Sequence, residues 1–160
     1  MVPDMPIVSL AELAALRGRG LRLLGFDVGT KTIGLALSDT RLVIASPLET
    51  IRRAKFADDA SRIAVLVRQH GVGGFVVGLP VAMDGTEGPR CQSVRAFARN
   101  LAKIVDLPTA FQDERLSTAA VERAMIEADM TRRRRAETID RAAAAYILQG
   151  ALDALPPAAP

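Results

Sequence analysis

The apolar residues of the chain follow two patterns, one typical of strands and one typical of helices. Continuous or alternating apolar stretches mark the strands. Five such stretches predict β-strands: residues 21–27, 33–39, 42–51, 74–79 and 109–112. Pro47 interrupts the third stretch, which suits an edge strand or a bend because proline cannot donate to a sheet ladder. The link at 28–32 is short and contains Gly29, so we predict that the first two strands form an antiparallel hairpin.

Helical spacing marks the remaining elements. The predicted helices lie at about residues 9–16, 59–69, 89–105, 117–128 and 138–155. Ser9 begins a capping box at the first helix, and Gly71 is a suitable stop for the second. Ile104 is expected to face inward on the third helix. The arginine-rich residues 132–135 are predicted to form a loop before the last helix.

The order of these elements predicts the fold class. Three strands joined as hairpins, followed by alternating helices and strands, predict an α/β protein with a mixed five-stranded sheet flanked by helices. This is the element order of the RNase H-like fold. We expect an N-terminal extension with a short helix at 1–20, a single domain at 21–155 and a flexible tail at 156–160.

Composition narrows the class further. Of 160 residues, 49% are apolar, which predicts a packed core, and no apolar run is long enough to cross a membrane. The first residues show no secretory signal. Cys91 is the single cysteine, so an internal disulfide and a thiolate zinc cluster are excluded, and a reducing cytoplasm is expected. Aromatic residues are only 4%, which argues against a stacking platform for single strands.

Carboxylates lie at the ends of two predicted strands and at the start of the final predicted helix. Asp27 closes the first strand, Asp113 and Glu114 close the last, and Asp140 leads the apolar face of the final helix. Each acid also has an ordinary explanation. Asp27 could form a turn before Gly29, and Asp140 could interact with the helix dipole in the first turn of its helix. Asp113 or Glu114 could pair with Arg115 or stabilise the N-terminus of the next helix. Adjacent strand residues point to opposite faces, so at most one of Asp113 and Glu114 should face the same side as Asp27.

Acids gathered on one side of a sheet would repel each other unless a cation neutralised them. The candidate ligands are all oxygens, which favours a hard ion, Mg²⁺ or Mn²⁺, with two ions expected when substrate is bound. Two such ions activate a water and stabilise the leaving oxygen in hydrolysis of a phosphodiester. The pattern therefore indicates a metal-dependent nuclease.

Basic residues supply candidate contacts to a polyanion. The formal net charge is +3 and the estimated isoelectric point is about 9.6, which permits a nucleic-acid partner without requiring one. Arg95, Arg99 and Lys103 share one helix face, which could equally be ordinary solvated surface. The loop at 84–88 leads into a helix N-terminus that could accept a phosphate. The predicted nucleic-acid contacts are Lys31, Arg95, Arg99, Arg115, Arg132, Arg133, Arg134 and Arg135.

Four segments in order, residues 24–39, 76–88, 113–118 and 139–149, resemble the motifs of the YqgF family, the RuvX-type nucleases. The resemblance implies an RNase H-like fold over about residues 21–152. It also implies that Asp27, Glu114 and Asp140 are catalytic metal ligands, with Asp113 as the fallback. One departure is Thr32, where the family usually has a basic residue.

The resemblance implies a role in maturing the 5′ end of the 16S rRNA precursor. One alternative is resolution of four-way DNA junctions, which usually requires a dimer, whereas we expect a monomer or weak homodimer. A second is an RNA-binding assembly factor without catalysis. A third is a sugar kinase or actin-like ATPase, because residues 27–30 also resemble the first phosphate loop of those proteins. Those proteins need two such domains around the nucleotide, and 160 residues supply one.

Overall fold

A computed structural model of the protein describes residues 7–82, 84–114 and 132–157, except for the side chains of 132–140. The strands are β1 (Arg22–Val28), β2 (Thr32–Ser38), β3 (Ala45–Arg52), β4 (Val72–Leu79) and β5 (Thr109–Asp113). The helices are α1 (Leu10–Leu13), which continues as a 3₁₀ turn at Ala14–Leu16, α2 (Phe56–His70), α3 (Pro89–Ala102) and α4 (Arg132–Ala154).

The strands form one mixed sheet in the order β3-β2-β1-β4-β5. β2 pairs antiparallel with both β1 and β3, whereas β4 and β5 continue the sheet parallel to β1. The predicted hairpin and five-stranded mixed sheet are therefore confirmed. Because β1, β4 and β5 run in the same direction, their carboxyl ends meet at one edge of the sheet.

Helices cover both faces of this sheet and bury two apolar clusters. Alternate residues of a strand point to opposite faces, so Leu24 and Phe26 face α2 and α3, whereas Leu23 faces α1 and α4. Cys91 is buried in the first cluster, and burial raises the pKa of its thiol. No helix in the described ranges is long and apolar enough to span a bilayer.

Helix α4 lies very close to β1 because β1 has a glycine at the contact. A Cβ on Gly25 would lie 2.8 Å from Leu148 Cβ and 3.3 Å from the Ala144 carbonyl oxygen. Arg17, which precedes β1, donates from its guanidinium to the carbonyl of Pro156, which follows α4. The end of α4 thus lies near the start of β1. The helix therefore runs antiparallel to β1, and its earlier turns lie toward the carboxyl end of that strand.

Two predictions about the third strand need correction. Residues 42–44 belong to the irregular connection between β2 and β3 rather than to a strand, because Asp39 Oδ1 accepts hydrogen bonds from the backbone N–H groups of Val43 (2.7 Å) and Ile44 (3.1 Å). Pro47 does not interrupt β3 but lies within it, beside a register shift between Leu35 and Ala36. The prediction that this is an edge strand is confirmed.

Two helix predictions are also wrong. Residues 132–135 belong to α4 instead of a preceding loop, since arginine is among the better helix-forming residues. Ile104 is 53% exposed, because α3 ends at Ala102 and the inward-facing spacing is lost beyond it. The predicted helix at 117–128 lies outside the described residues.

The close approach of α4 to β1 predicts a specific destabilisation. Gly25→Ala should lower the free energy of unfolding by roughly 1 to 3 kcal/mol, because the added methyl group meets helix backbone that cannot yield locally. Gly150→Ala is the matched control in the same interface. There the added Cβ meets only the end of the Gln112 side chain, and the gain in helix propensity should leave stability equal or slightly higher.

Urea unfolding followed by circular dichroism measures both variants. Equal stability of Gly25→Ala and the wild-type protein would contradict the described packing.

Candidate active site

Three neighbouring strands place residues at the same corner of the sheet. Asp27 is the penultimate residue of β1 and shares the α4 face with Leu23 and Gly25. Gly78 of β4 lies beside Asp27, because the preceding residues of the two parallel strands, Phe26 and Val77, are paired. Glu114 follows β5, and its backbone N–H donates to the Leu79 carbonyl at 3.1 Å, which prolongs the parallel ladder by one residue.

The absence of a side chain at Gly78 makes room for the carboxylate of Glu114. A Cβ on Gly78 would overlap Glu114 Oε2 and would lie 2.7 Å from Ile147 Cδ1 of α4. The carboxylate therefore lies directly over β4, between the sheet and the helix. Any larger residue at position 78 would displace it.

This environment changes the protonation of Glu114. Burial, with a further contribution from the negative charge of Asp27, raises the pKa of Glu114 to about 7. The positive charge of Arg90 opposes the shift, and Asp113 adds to it. Asp27 lies beside Gly78 on the neighbouring strand and the Glu114 carboxylate lies over Gly78, so two acids that are 87 positions apart in the chain meet at one corner of the sheet.

Asp113 occupies a different position from Glu114. It is exposed and has the opposite strand parity, so it points away from the α4 face on which Asp27 and Gly78 lie. The structure thus brings Glu114, not the fallback Asp113, beside Asp27.

Asp140 lies on α4 one turn before Ala144, which packs against Gly25. Since α4 runs antiparallel to β1, this position is toward the end of β1 that carries Asp27. The side chain of Asp140 is outside the described residues. Within the part of the chain that is described, no three histidine, cysteine or acidic side chains form a metal-binding group.

The turn after Asp27 is held by two arginines. Arg53 Nη1 donates to the Gly29 carbonyl at 2.7 Å, and the Arg53 guanidinium lies 5.5 Å from the centroid of the Phe97 ring. Arg90 Nη2, from the first turn of α3, donates to the Val28 carbonyl at 3.2 Å. Lys31 in this turn is exposed.

The other predicted nucleic-acid contacts have different surroundings. Arg95 forms a two-point ion pair with Glu87, with N–O distances of 2.8 and 2.9 Å, and lies over the Phe111 ring. Arg99 is exposed on α3, and Lys103 is exposed at its end. Arg115 and the side chains of Arg132, Arg133, Arg134 and Arg135 are outside the described residues.

Sequence reasoning assigned no role to Gly78, Arg53 or Arg90. Arg90 carried a usable signal: a cation in the first turn of a helix opposes the helix dipole, so its position calls for another explanation. Gly78 was less visible, because glycine in a buried strand indicates only a close approach of some kind. The contact of Arg53 with Gly29 depends on tertiary packing between segments that are distant in the sequence.

A family model and similar proteins of other organisms indicate the same family for this chain. The protein-family model RuvX, described as Holliday junction resolvase, matches residues 21–154. A protein of Paramagnetospirillum magneticum is 62% identical over 149 residues, which are 93% of this chain and 96% of the relative. One from Roseobacter denitrificans is 61% identical over 146 residues, covering 90% and 87%. Both are provisionally named pre-16S rRNA nucleases.

Solved structures agree at the level of the fold. RuvC of T. thermophilus in complex with a Holliday junction substrate superposes with a TM-score of 0.53 at 13% identity, covering 84% of this chain and 94% of that one. A second T. thermophilus RuvC structure gives 0.50 over 84% and 95%. These matches confirm the predicted RNase H-like architecture. With a family model that spans nearly the whole chain and relatives above 60% identity, the chain belongs to the RuvX family of nucleases.

Proposed function

We propose that this chain is a divalent-metal-dependent endonuclease that cleaves phosphodiester bonds of structured RNA during maturation of the 16S rRNA precursor. The observation that carries the proposal is the meeting of Asp27 and Glu114 at the carboxyl ends of neighbouring strands. The names of the close relatives supply the substrate class.

The carboxylate pair is suited to a hard cation. The negative charge of Asp27 contributes to the raised pKa of Glu114, so the two groups are poorly stable as a pair of anions, and a bound cation removes that repulsion. Carboxylate oxygens are the ligands that Mg²⁺ and Mn²⁺ prefer. Asp27 and Glu114 would hold the metal, and the position of Asp140 on α4 is compatible with a third ligand. When bound, two such ions supply an activated water and charge stabilisation for phosphodiester hydrolysis.

The protein itself orients these ligands. Gly78 leaves the space in which the Glu114 carboxylate lies, and Ile147 covers it from the α4 side. Arg53 and Arg90 fix the backbone immediately after Asp27 by hydrogen bonds to two successive carbonyl groups. A ligand set held in this way loses little further freedom when a metal binds, which favours binding.

The family description supports a second candidate, resolution of four-way DNA junctions. The carboxylate chemistry would be the same, so the two functions differ in the nucleic acid that is bound. Parallel assays with a pre-16S rRNA fragment and a four-way DNA junction separate them. We expect faster metal-dependent cleavage of the rRNA fragment.

Replacement of Asp27 tests its role as a metal ligand. Asp27→Asn should reduce Mg²⁺-dependent cleavage of the rRNA fragment by a factor on the order of 10³, because loss of a metal ligand removes several kcal/mol of transition-state stabilisation. Gel analysis of end-labelled RNA measures the rate. Asp113→Asn is the matched control, because this acid is adjacent to Glu114 but exposed and directed away from Asp27.

Two outcomes would overturn the assignment. Undiminished cleavage by Asp27→Asn in Mg²⁺ would remove Asp27 from the metal site. Loss of cleavage in Asp113→Asn, with normal cleavage in Glu114→Gln, would exchange the roles of the two neighbouring acids.

The raised pKa of Glu114 predicts how stability depends on pH. The folded protein holds this proton up to about pH 7, whereas an unfolded chain releases it near pH 4.5. The contribution to stability is therefore complete below pH 4.5 and is lost as the pH rises through 7. In metal-free buffer at pH 8, Glu114→Gln should be more stable than wild type by roughly 1 to 2 kcal/mol, after allowance for solvent screening.

Mg²⁺ should reverse this order. A bound cation stabilises ionised Glu114, so the wild-type melting temperature should rise with Mg²⁺ at pH 8, and the rise should be smaller at pH 6 where the proton competes. Glu114→Gln should show little response to Mg²⁺ at either pH. Thermal unfolding with EDTA or Mg²⁺ measures both effects, and an equal Mg²⁺ response in the two proteins would contradict the prediction.

A further inference from the structure

Arg90 occupies a position that helix stability alone does not explain. It is the second residue of α3, where the partial positive charge of the helix N-terminus disfavours a cation. Its side chain is nevertheless directed back to the sheet, and Nη2 donates to the Val28 carbonyl at 3.2 Å, one residue after Asp27. A positive charge is thus held at the carboxylate corner although the helix N-terminus disfavours it.

The surroundings of Arg90 leave it able to bind a ligand. The residue is exposed, and a guanidinium has five N–H donors in a planar fork, of which the contact with Val28 uses one. Its charge acts on Glu114, so the guanidinium lies within electrostatic range of both the β1 and the β5 ends of the site. A planar guanidinium of this kind is well suited to bind phosphate through two parallel hydrogen bonds.

Arg53 provides an internal comparison. It also donates to a carbonyl of the same turn, but it is half-buried, with its guanidinium against the Phe97 ring. The backbone N–H of Arg53 donates to Lys31 at 2.9 Å, and Asp59 Oδ1 accepts from the next backbone N–H, of Ala54, at 3.2 Å. Arg53 is therefore built into the fold as a positioning residue, whereas Arg90 faces solvent beside the acids.

We propose that Arg90 is a phosphate-binding residue of the active site, which holds a backbone phosphate of the nucleic acid next to the Asp27–Glu114 pair. The inference rests on the proposed function, because it assumes a nucleic-acid substrate at this corner. It gives the exposed guanidinium a role distinct from that of the metal ligands: Arg90 contributes to binding with or without catalysis.

The test measures binding and not cleavage. A fluorescent RNA hairpin with a duplex stem is titrated with the full-length protein in Ca²⁺ at several KCl concentrations, and log Kd is plotted against log salt. A residue that contacts one phosphate of a duplex contributes about 0.9 to the slope. Arg90→Gln should weaken binding about 5- to 10-fold at 100 mM KCl and reduce the slope by roughly that amount.

Two further variants separate a phosphate contact from a structural effect. Arg90→Lys keeps the charge and should retain most of the wild-type slope. Arg68→Gln removes another exposed arginine, in the last turn of α2 near His70, whose carbonyl accepts from Arg22 at the opposite end of β1. This control should leave affinity and slope unchanged.

A wild-type salt slope in Arg90→Gln would overturn the proposal, as would an equal loss in Arg68→Gln. If Arg90→Gln shows the predicted loss while the wild-type protein cleaves neither RNA nor DNA, the phosphate contact stands and the proposed nuclease function fails. If the wild-type protein binds neither the hairpin nor a four-way DNA junction, both proposals fail.

Discussion

The closeness of two like charges, Asp27 and Glu114, is the constraint on which the site depends. Each lies at the carboxyl end of a strand parallel to β4, and the sheet holds them on one face regardless of their mutual repulsion. Burial, and after it the negative charge of Asp27, raises the pKa of Glu114. A bound cation is the simplest group that would neutralise the two carboxylates. The fold therefore places the two acids where the proposed chemistry requires a metal.

The packing of α4 sets the shape of the same corner. Gly25 lets the helix backbone approach β1, and Gly78 leaves space for the carboxylate of Glu114 beside Ile147. Glycine residues on two neighbouring strands thus allow a helix and a carboxylate to pack closely on one face of the sheet. The hydrophobic contacts that stabilise the domain and the groups proposed to bind metal share these positions, so substitutions here should affect stability and activity together.

Much of this arrangement was predictable from sequence, because apolar stretches determine which segments are strands and parallel strands bring their carboxyl ends together. Asp27 was predictable in that way, as the polar residue that ends a buried strand. The choice between Asp113 and Glu114 was not, since it depends on the register of β5. Residues 132–135 were predicted to form a loop, but they begin α4, where the helix propensity of arginine and the packing of the later α4 turns prevail.

On the proposed function, the carboxylates of Asp27 and Glu114 share a cation. A crystal structure of the protein grown with Mn²⁺, with anomalous scattering data collected at the manganese edge, tests it most directly. We expect an anomalous peak bonded to carboxylate oxygens of both Asp27 and Glu114. Manganese bound elsewhere, or no peak between these two side chains at saturating Mn²⁺, would contradict it.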